Sequence, residues 1–309
     1  TPPERADTQF RVRRCVIFNP AARGEKARRF RRLLDEIGRG ADLRETRAAG
    51  DARRLACEAV GEGYDVIVAA GGDGTLNEVV NGIADSPEGL ERVRLGLLPL
   101  GTVNVFAREL GIPRQPEAGW RAVLSGKGTV IDLPCMEHRV DGRSEVRYFA
   151  QLAGAGLDAR AIELVHWPLK KKVGPLAYVI AGFKALMSPQ AMLTVEAGER
   201  KAEGELVLVG NGRLYGGSFR VFPEADLRDG LLEVCVFPRV NWWKLARCGP
   251  GLLLNGALPS RETENFRAAT FTVTSGGDAG VEADGEWVGR LPAKFSVRPG
   301  ALRVIVPRD

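Results

Sequence analysis

The sequence predicts an α/β N-terminal domain built on a parallel sheet, followed by a mostly antiparallel β-sandwich domain with inserted helices. Three observations carry this prediction. Over residues 10–132, short apolar runs alternate with helix-periodic segments, as in a sheet covered on both faces. Over residues 133–309, short β-branched runs are separated by Gly, Pro and Asp clusters, as in a sandwich. The length of 309 residues suits two domains of ordinary size.

The elements follow in order. Cys15 to Phe18 is a short buried strand. Ala27, Phe30, Leu33, Leu34 and Ile37 then recur at helical spacing. Leu43 to Thr46 reads as a strand, and Asp51 as the N-cap of a helix through Val60. Asp65 to Ala70 is a parallel-type strand ended by Gly71-Gly72-Asp73-Gly74, with a helix over 75–84. A strand over 95–100 and a helix over 102–110 follow, and the first half closes near Gly128 to Leu133. In the second half, strands are expected at 191–196, 205–209, 231–237 and 271–274, with helical stretches at 157–187 and 241–256.

Composition excludes several classes. A hydrophobic fraction of 44% with 27% charged residues supplies a core and excludes wholesale disorder. The net charge of +5 fits an anionic substrate or membrane surface. No Arg/Lys block is interleaved with stacking aromatics, so nucleic acid is not an expected partner. The 5 cysteines are scattered and odd in number, which points to a reduced, cytoplasmic compartment. With 2 histidines, a His-rich zinc site and a Ser-His-Asp triad are disfavoured. No apolar stretch reaches the ~18 residues of a membrane span. The basic Arg11 to Arg14 precede too short a run for a signal peptide, so any membrane contact is peripheral.

Five segments carry candidate chemistry. Gly71 to Glu78 follows a buried strand and opens a helix, where glycine backbone and unpaired N–H groups can approach a phosphate. The alternative is a plain strand-to-helix turn capped by Thr75. Asn19 to Gly24 and Gly101 to Asn104 follow other strands and point to the same sheet edge, where ligands of open α/β sheets sit. Asp226 and Asp229, with a nearby carbonyl, suit a hard cation such as Mg²⁺, the alternative being an Asp-Gly hairpin turn. Asp284-Gly285-Glu286 places carboxylates on a tight turn that either faces a cleft or is plain surface.

Together these segments resemble the diacylglycerol kinase catalytic-domain family, which includes bacterial diacylglycerol kinases, related bacterial lipid kinases, and sphingosine and ceramide kinases. The likeness runs in order through NPAARG, GGDGTLNEVVNGI, PLGTVNVFARELGIP, GNGRLYGGSFRVFPEADLRDGLLEV, VEADGEWVG and FSVRPGALRVIVP. The glycine motif alone is shared with NAD kinases and phosphofructokinase-like enzymes, whose fold the N-terminal domain should share. The resemblance implies an ATP- and Mg²⁺-dependent kinase that phosphorylates a lipid hydroxyl on diacylglycerol or a related lipid. It further implies that Asn19, Pro20, Ala21, Ala22, Arg23, Thr46, Gly72, Asp73, Gly74, Thr75, Leu76, Asn77, Glu78 and Thr102 line the ATP site. Asp226, Asp229 and the Leu231 carbonyl would hold a structural Mg²⁺, Glu286 would be the general base, and Asp73 would organise a catalytic Mg²⁺ network. Two departures stand out: Val105 follows Asn104 where Asp is usual, and Ala22-Arg23-Gly24 stands where a Ser-Gly is usual.

No Walker A lysine is present, so glycine donors and Arg23 or another basic residue must balance the phosphates. A lipid kinase must also reach a bilayer. Trp167 with Lys170, Lys171 and Lys172 reads as a contact for an anionic membrane surface, against the alternative of a solvated Lys run. Trp242-Trp243-Lys244 is a second candidate. The expected protein is cytoplasmic, transiently at the inner membrane face, with a homodimer left open. The rivals are a soluble kinase of the NAD kinase type and a non-catalytic nucleotide- or lipid-binding regulator.

Overall fold

The computed structural model of the chain describes residues 12–20, 24–140, 143–164, 190–240 and 262–308. Ala21, Ala22, Arg23, Trp167, Lys170, Lys171, Lys172, the 241–256 stretch and most of 157–187 lie outside the described residues.

The first half alternates strand and helix as its apolar pattern predicts. β1 (Arg14–Phe18), β2 (Asp42–Glu45), β3 (Val66–Gly71) and β4 (Arg94–Pro99) form a parallel sheet in the order β2-β1-β3-β4. Between and after them lie α1 (Glu25–Gly38), α2 (Asp51–Gly61), α3 (Asp73–Asp85), α4 (Gly89–Arg92), α5 (Val105–Glu109) and α6 (Pro116–Ser125). β3 is buried along its whole length, which its unbroken apolar run requires. Phe18 stands opposite Ala70, and Ala70 opposite Leu98, so the carboxyl ends of β1, β3 and β4 open at one edge. α3 packs Leu76, Val79, Val80 and Ile83 into the core. It lies so close to α2 that a side chain at Gly82 would overlap the Arg53 carbonyl.

The second half is a β-sandwich. It contains β5 (Lys127–Val140), β6 (Arg143–Tyr148), β7 (Leu152–Gly156), α7 (Leu157–Glu163), β8 (Leu193–Ala197), β9 (Arg200–Gly204) and β10 (Leu206–Gly210). It continues with β11 (Leu214–Tyr215), β12 (Phe219–Arg220), β13 (Leu232–Phe237), β14 (Glu264–Ala268), β15 (Thr270–Ser275), β16 (Gly280–Ala283) and β17 (Glu286–Val306). One sheet path runs β14-β13-β10-β7-β16-β17, antiparallel at each step, and β8-β15 and β6-β5 branch from β17. Phe149, Phe271 and Phe295 meet in its core, with the last two rings stacked at 5.0 Å.

The two halves share strands. The expected division near residue 132 falls inside β5, which pairs with β17 from Lys127 opposite Val306 to Arg139 opposite Arg290. β17 then joins the parallel sheet, with Val304 opposite Leu95 on β4. An apolar edge strand such as β4 needs a partner, and the chain's final strand supplies it. Glu286 at one end of β17 is therefore linked through one strand to the α/β sheet.

Candidate active site

The site is built where glycines let backbones touch. Gly72 follows β3 and Gly101 lies two residues beyond β4, and a Cβ on Gly101 would lie 2.6 Å from the Gly72 Cα. A side chain on Gly71 would overlap Thr75, which is why the turn into α3 is so tight. No side chain caps α3, whose N-cap is Gly72, so Thr75 is not the cap that the plain-turn alternative required. The amides of its first turn face the sheet edge, and the helix places its positive dipole end there.

Asp73 fastens the two glycine loops together. Its Oδ2 accepts the Asn104 amide at 2.9 Å, and its Oδ1 accepts the Val105 amide at 2.7 Å. Burial raises its pKa above the ordinary carboxyl value, and the nearby Asp284 charge adds to this. The two amide bonds act the other way. Asn104 adopts φ 53° and uses its side chain to bridge the amide and carbonyl of Gly101. Lys26 on α1 donates to the Gly101 carbonyl at 3.0 Å. Burial lowers the Lys26 pKa, and Arg114 and Arg108 lower it further, so three cations gather beside this loop. Asn19 and Pro20 are exposed at the end of β1, Thr102 is exposed beyond β4, and Thr46 is buried with its amide on the Phe18 carbonyl at 2.9 Å.

Several residues expected to line the nucleotide site have other partners. Leu76 belongs to the core. Asn77 is fully buried, and its Nδ2 donates to the Tyr148 carbonyl at 3.1 Å and to Asp284 Oδ2 at 2.9 Å. Asn81, one turn on, donates to the same carbonyl and accepts the Tyr148 amide at 3.0 Å. α3 is thereby pinned to the sandwich. Glu78 accepts the amides of Gly50 and Ala52, both at 2.9 Å, and so tethers the start of α2. Asp51, expected to cap α2, instead accepts the amides of Arg47 and Ala48 and closes the preceding turn, while Gly50 stands at the N-cap.

The Asp284-Gly285 pair forms a two-residue hairpin turn between β16 and β17, with φ of 49° and 82°. Both residues are left-handed, the geometry for which Asp-Gly is favoured. The two carboxylates on this turn differ in kind. Asp284 is saturated: Oδ2 accepts from Asn77 and the Ala150 amide, and Oδ1 from the Gln151 and Leu152 amides. Glu286 is 39% exposed at its side chain and pairs with Arg147 of β6 at 2.8 Å. Its Oε1 lies over Gly74, where an added Cβ would sit 2.7 Å away. The carboxylate from the sandwich thus meets the start of α3.

The DLRDG segment is a loop, and the hairpin alternative is not formed, because β12 pairs with β11 while β13 pairs with β10 and β14. Asp226 Oδ1 accepts the Arg228 amide, and Asp229 accepts the Leu231 amide and Arg267 Nη1 at 3.3 Å. The loop is anchored from below by Asp132, 2% exposed, which accepts the Gly230 and Gly300 amides at 2.7 and 2.8 Å. Among the described residues no three His, Cys, Asp or Glu side chains form a metal-sized cluster. Two exposed carboxylates and a backbone carbonyl on an anchored loop still fit a hard cation that keeps several waters.

Sequence reasoning missed Arg147, Asn81, Asp132 and Lys26. Asn81 had a signal, as a second Asn four residues after Asn77 on an apolar helix face. Arg147 had none, because its role comes from β6 lying beside the turn.

Two family models match the chain. One is the diacylglycerol kinase catalytic domain, over residues 13–136, and the other is the YegS C-terminal NAD kinase beta sandwich-like domain, over residues 151–306. The chain is 33% identical over 312 residues to a diacylglycerol kinase of Staphylococcus aureus, with 97% of this chain and 94% of that protein covered. It is 32% identical over 315 residues to one of Staphylococcus saprophyticus, with 97% of each covered. A crystal structure of a diacylglycerol kinase from Bacillus anthracis shares the fold with a TM-score of 0.69 at 19% identity, covering 96% of this chain and 97% of that one.

Proposed function

We propose a specific reaction for a chain that belongs to the diacylglycerol kinase family and is an ATP-dependent lipid kinase: transfer of the γ-phosphate of ATP to the free hydroxyl of diacylglycerol. The observation that carries this reading is the approach of the Glu286 carboxylate to Gly74 at the start of α3. It brings a proton acceptor beside backbone donors suited to phosphate.

Phosphoryl transfer depends on positioning and charge neutralisation more than on covalent help. The amides of Gly72, Gly74 and Thr75 cradle the phosphates, and the absence of side chains at 72, 74 and 101 lets the two glycine loops and Glu286 close on one another beside them. Lys26, whose pKa the Arg114 and Arg108 charges help to lower, supplies the positive charge that a P-loop lysine supplies elsewhere. Asn19, Pro20, Thr46 and Thr102 border the nucleotide at the strand ends. Asn77 and Glu78 hold α3 and α2 in place without touching it. Asp73 keeps the two glycine loops in register. Glu286, oriented by Arg147, accepts the acceptor hydroxyl's proton as transfer proceeds. Asp284, with four donors on its two oxygens, sets the turn and leaves the base role to Glu286.

Asp226, Asp229 and the Leu231 carbonyl would hold a Mg²⁺ with a structural role, and a second Mg²⁺ near Asp73 would neutralise phosphate charge. The acceptor is a bilayer lipid, so the protein docks peripherally on an anionic membrane surface. No helix among the described residues is long and apolar enough to cross a membrane.

The test is purified protein with γ-labelled ATP, Mg²⁺ and separate mixed micelles of diacylglycerol, monoacylglycerol, phosphatidylglycerol, ceramide and sphingosine, with NAD in a parallel tube. Label in diacylglycerol is the expected result. Label only in another lipid would replace the acceptor, and label in NAD alone would overturn the lipid reading.

A further inference from the structure

Two acids not used in this mechanism lie beneath the turn that carries Glu286. Glu282 on β16 has 0% exposure, and its Oε2 accepts the Gly285 amide at 2.8 Å. Asp158, at the start of α7, accepts the Tyr215 hydroxyl on Oδ1 at 2.6 Å. β16 runs beside β7 with Glu282 opposite Gly154, and the missing side chain at 154 leaves room for Asp158 Oδ2. Each acid thus has one oxygen in an ordinary hydrogen bond. The other oxygen of each, Glu282 Oε1 and Asp158 Oδ2, is buried with no donor among the described residues.

We propose that Asp158 and Glu282 share one proton as a buried acid pair, and that this pair is a positioning element for Glu286, which it orders by holding the Gly285 amide. Two carboxylates in contact in a dry interior do not both ionise, and one keeps its proton to donate a hydrogen bond. A single proton on Glu282 Oε1, donated to Asp158 Oδ2, gives a partner to both orphaned oxygens. Glu282 Oε2 stays free to accept from Gly285, and no covalent bond changes. Burial raises the pKa of both acids, and for Glu282 the Asp158 charge adds to this. Tyr215 is pushed up as well, chiefly by burial, and remains a hydroxyl donor. The other charged groups on neighbouring elements have partners of their own: Arg160 pairs with Glu163, Arg290 with Asp278, Arg147 with Glu286, and Asp284 with its four donors. The consequence for turnover rests on Glu286 being the base.

The experiment compares Glu282→Gln, Glu282→Met and Glu286→Gln with the parent protein by infrared spectroscopy, amide exchange at Gly285, and kcat against KM for ATP. At neutral pH the parent shows a protonated-carboxyl stretch that Glu282→Gln removes. Glu282→Gln keeps a donor toward Asp158 and an acceptor for Gly285, so exchange protection and kcat stay within about twofold. Glu282→Met leaves Gly285 unheld, so its amide exchanges faster and kcat falls roughly tenfold or more while KM for ATP is unchanged. The proposal is overturned if the neutral-pH stretch is absent from the parent, or if Glu282→Met leaves Gly285 protection unaltered. Wild-type kcat in Glu282→Met beside an inactive Glu286→Gln also overturns it. Wild-type kcat in Glu286→Gln would instead remove Glu286 as the base, and the infrared and exchange results still decide the acid pair.

Discussion

Glu286 and Gly74 come from opposite halves of the chain and nearly touch: a Cβ on residue 74 would stand 2.7 Å from Glu286 Oε1. The other carboxylate oxygen is held by Arg147 at 2.8 Å. The glycine at the second position of α3 therefore serves as the seat of a carboxylate.

Gly74→Ala is expected to displace Glu286 without unfolding α3, since alanine is the better helix former. A shift of about 1 Å at a reacting group costs roughly a hundredfold in rate. Turnover should fall by that order while thermal stability is kept or raised. Wild-type kcat in this variant would show that Glu286 tolerates another position.

Asp73→Asn replaces a carboxylate that accepts two backbone amides with a group whose NH₂ must face one of them. The expected loss is about 1–3 kcal/mol of stability from the unmet donor. The KM for ATP should rise as the glycine loops part, checked by urea unfolding and steady-state kinetics. Unchanged unfolding would mean that the loops are held by the Gly72–Gly101 contact and the Leu100 and Gly101 amides on the Gly71 carbonyl.

Asn77→Ala leaves the Tyr148 carbonyl with fewer donors and removes one donor from Asp284. The cost should be about 2 kcal/mol by urea unfolding, because one partner is charged and the site is buried. ATP affinity measured by calorimetry should change little in the folded variant. A large loss of ATP affinity at unchanged stability would return Asn77 to the nucleotide site.

The acid pair also makes stability depend on pH in a defined direction. Glu282 titrates higher in the folded protein than in the unfolded chain, so above the unfolded carboxyl range of about 4.3 the folded state holds a proton that the unfolded state has lost. Its contribution is therefore full below that range and declines as pH rises toward the folded value. Glu282→Gln removes the decline, so its melting temperature should gain on the parent between about pH 5 and pH 8. An equal difference at both pH values would contradict the raised titration.

The α/β half was legible because local rules decide it. Its strands are continuous apolar runs, its helices are periodic, and β1, α2, β3 and β4 start and end within one or two residues of expectation. The sandwich was legible in kind but not in pairing. β5 and β17 are long, bent strands with register shifts, and their irregular burial hides the alternation that marks a strand. The glycine motif and the DGE turn were visible as chemistry, but the division of labour within them was not. Asn77, expected at the nucleotide site, bonds Tyr148 and Asp284 across the halves, a contact that depends on which polar groups pack opposite a buried amide.

By itself the sequence determined the class of protein: the order of elements, the glycine-rich turn after the third strand, and the acids available to act. These rest on local conformational freedom and periodicity, which residue types carry with them. Only the tertiary structure decided how each acid is held. Asp284 and Glu286 are two residues apart on one turn, yet one is saturated by four donors and the other faces Gly74 and Arg147. That difference arises from contacts spanning more than a hundred residues, through strands β6, β7 and β17, which no local pattern encodes.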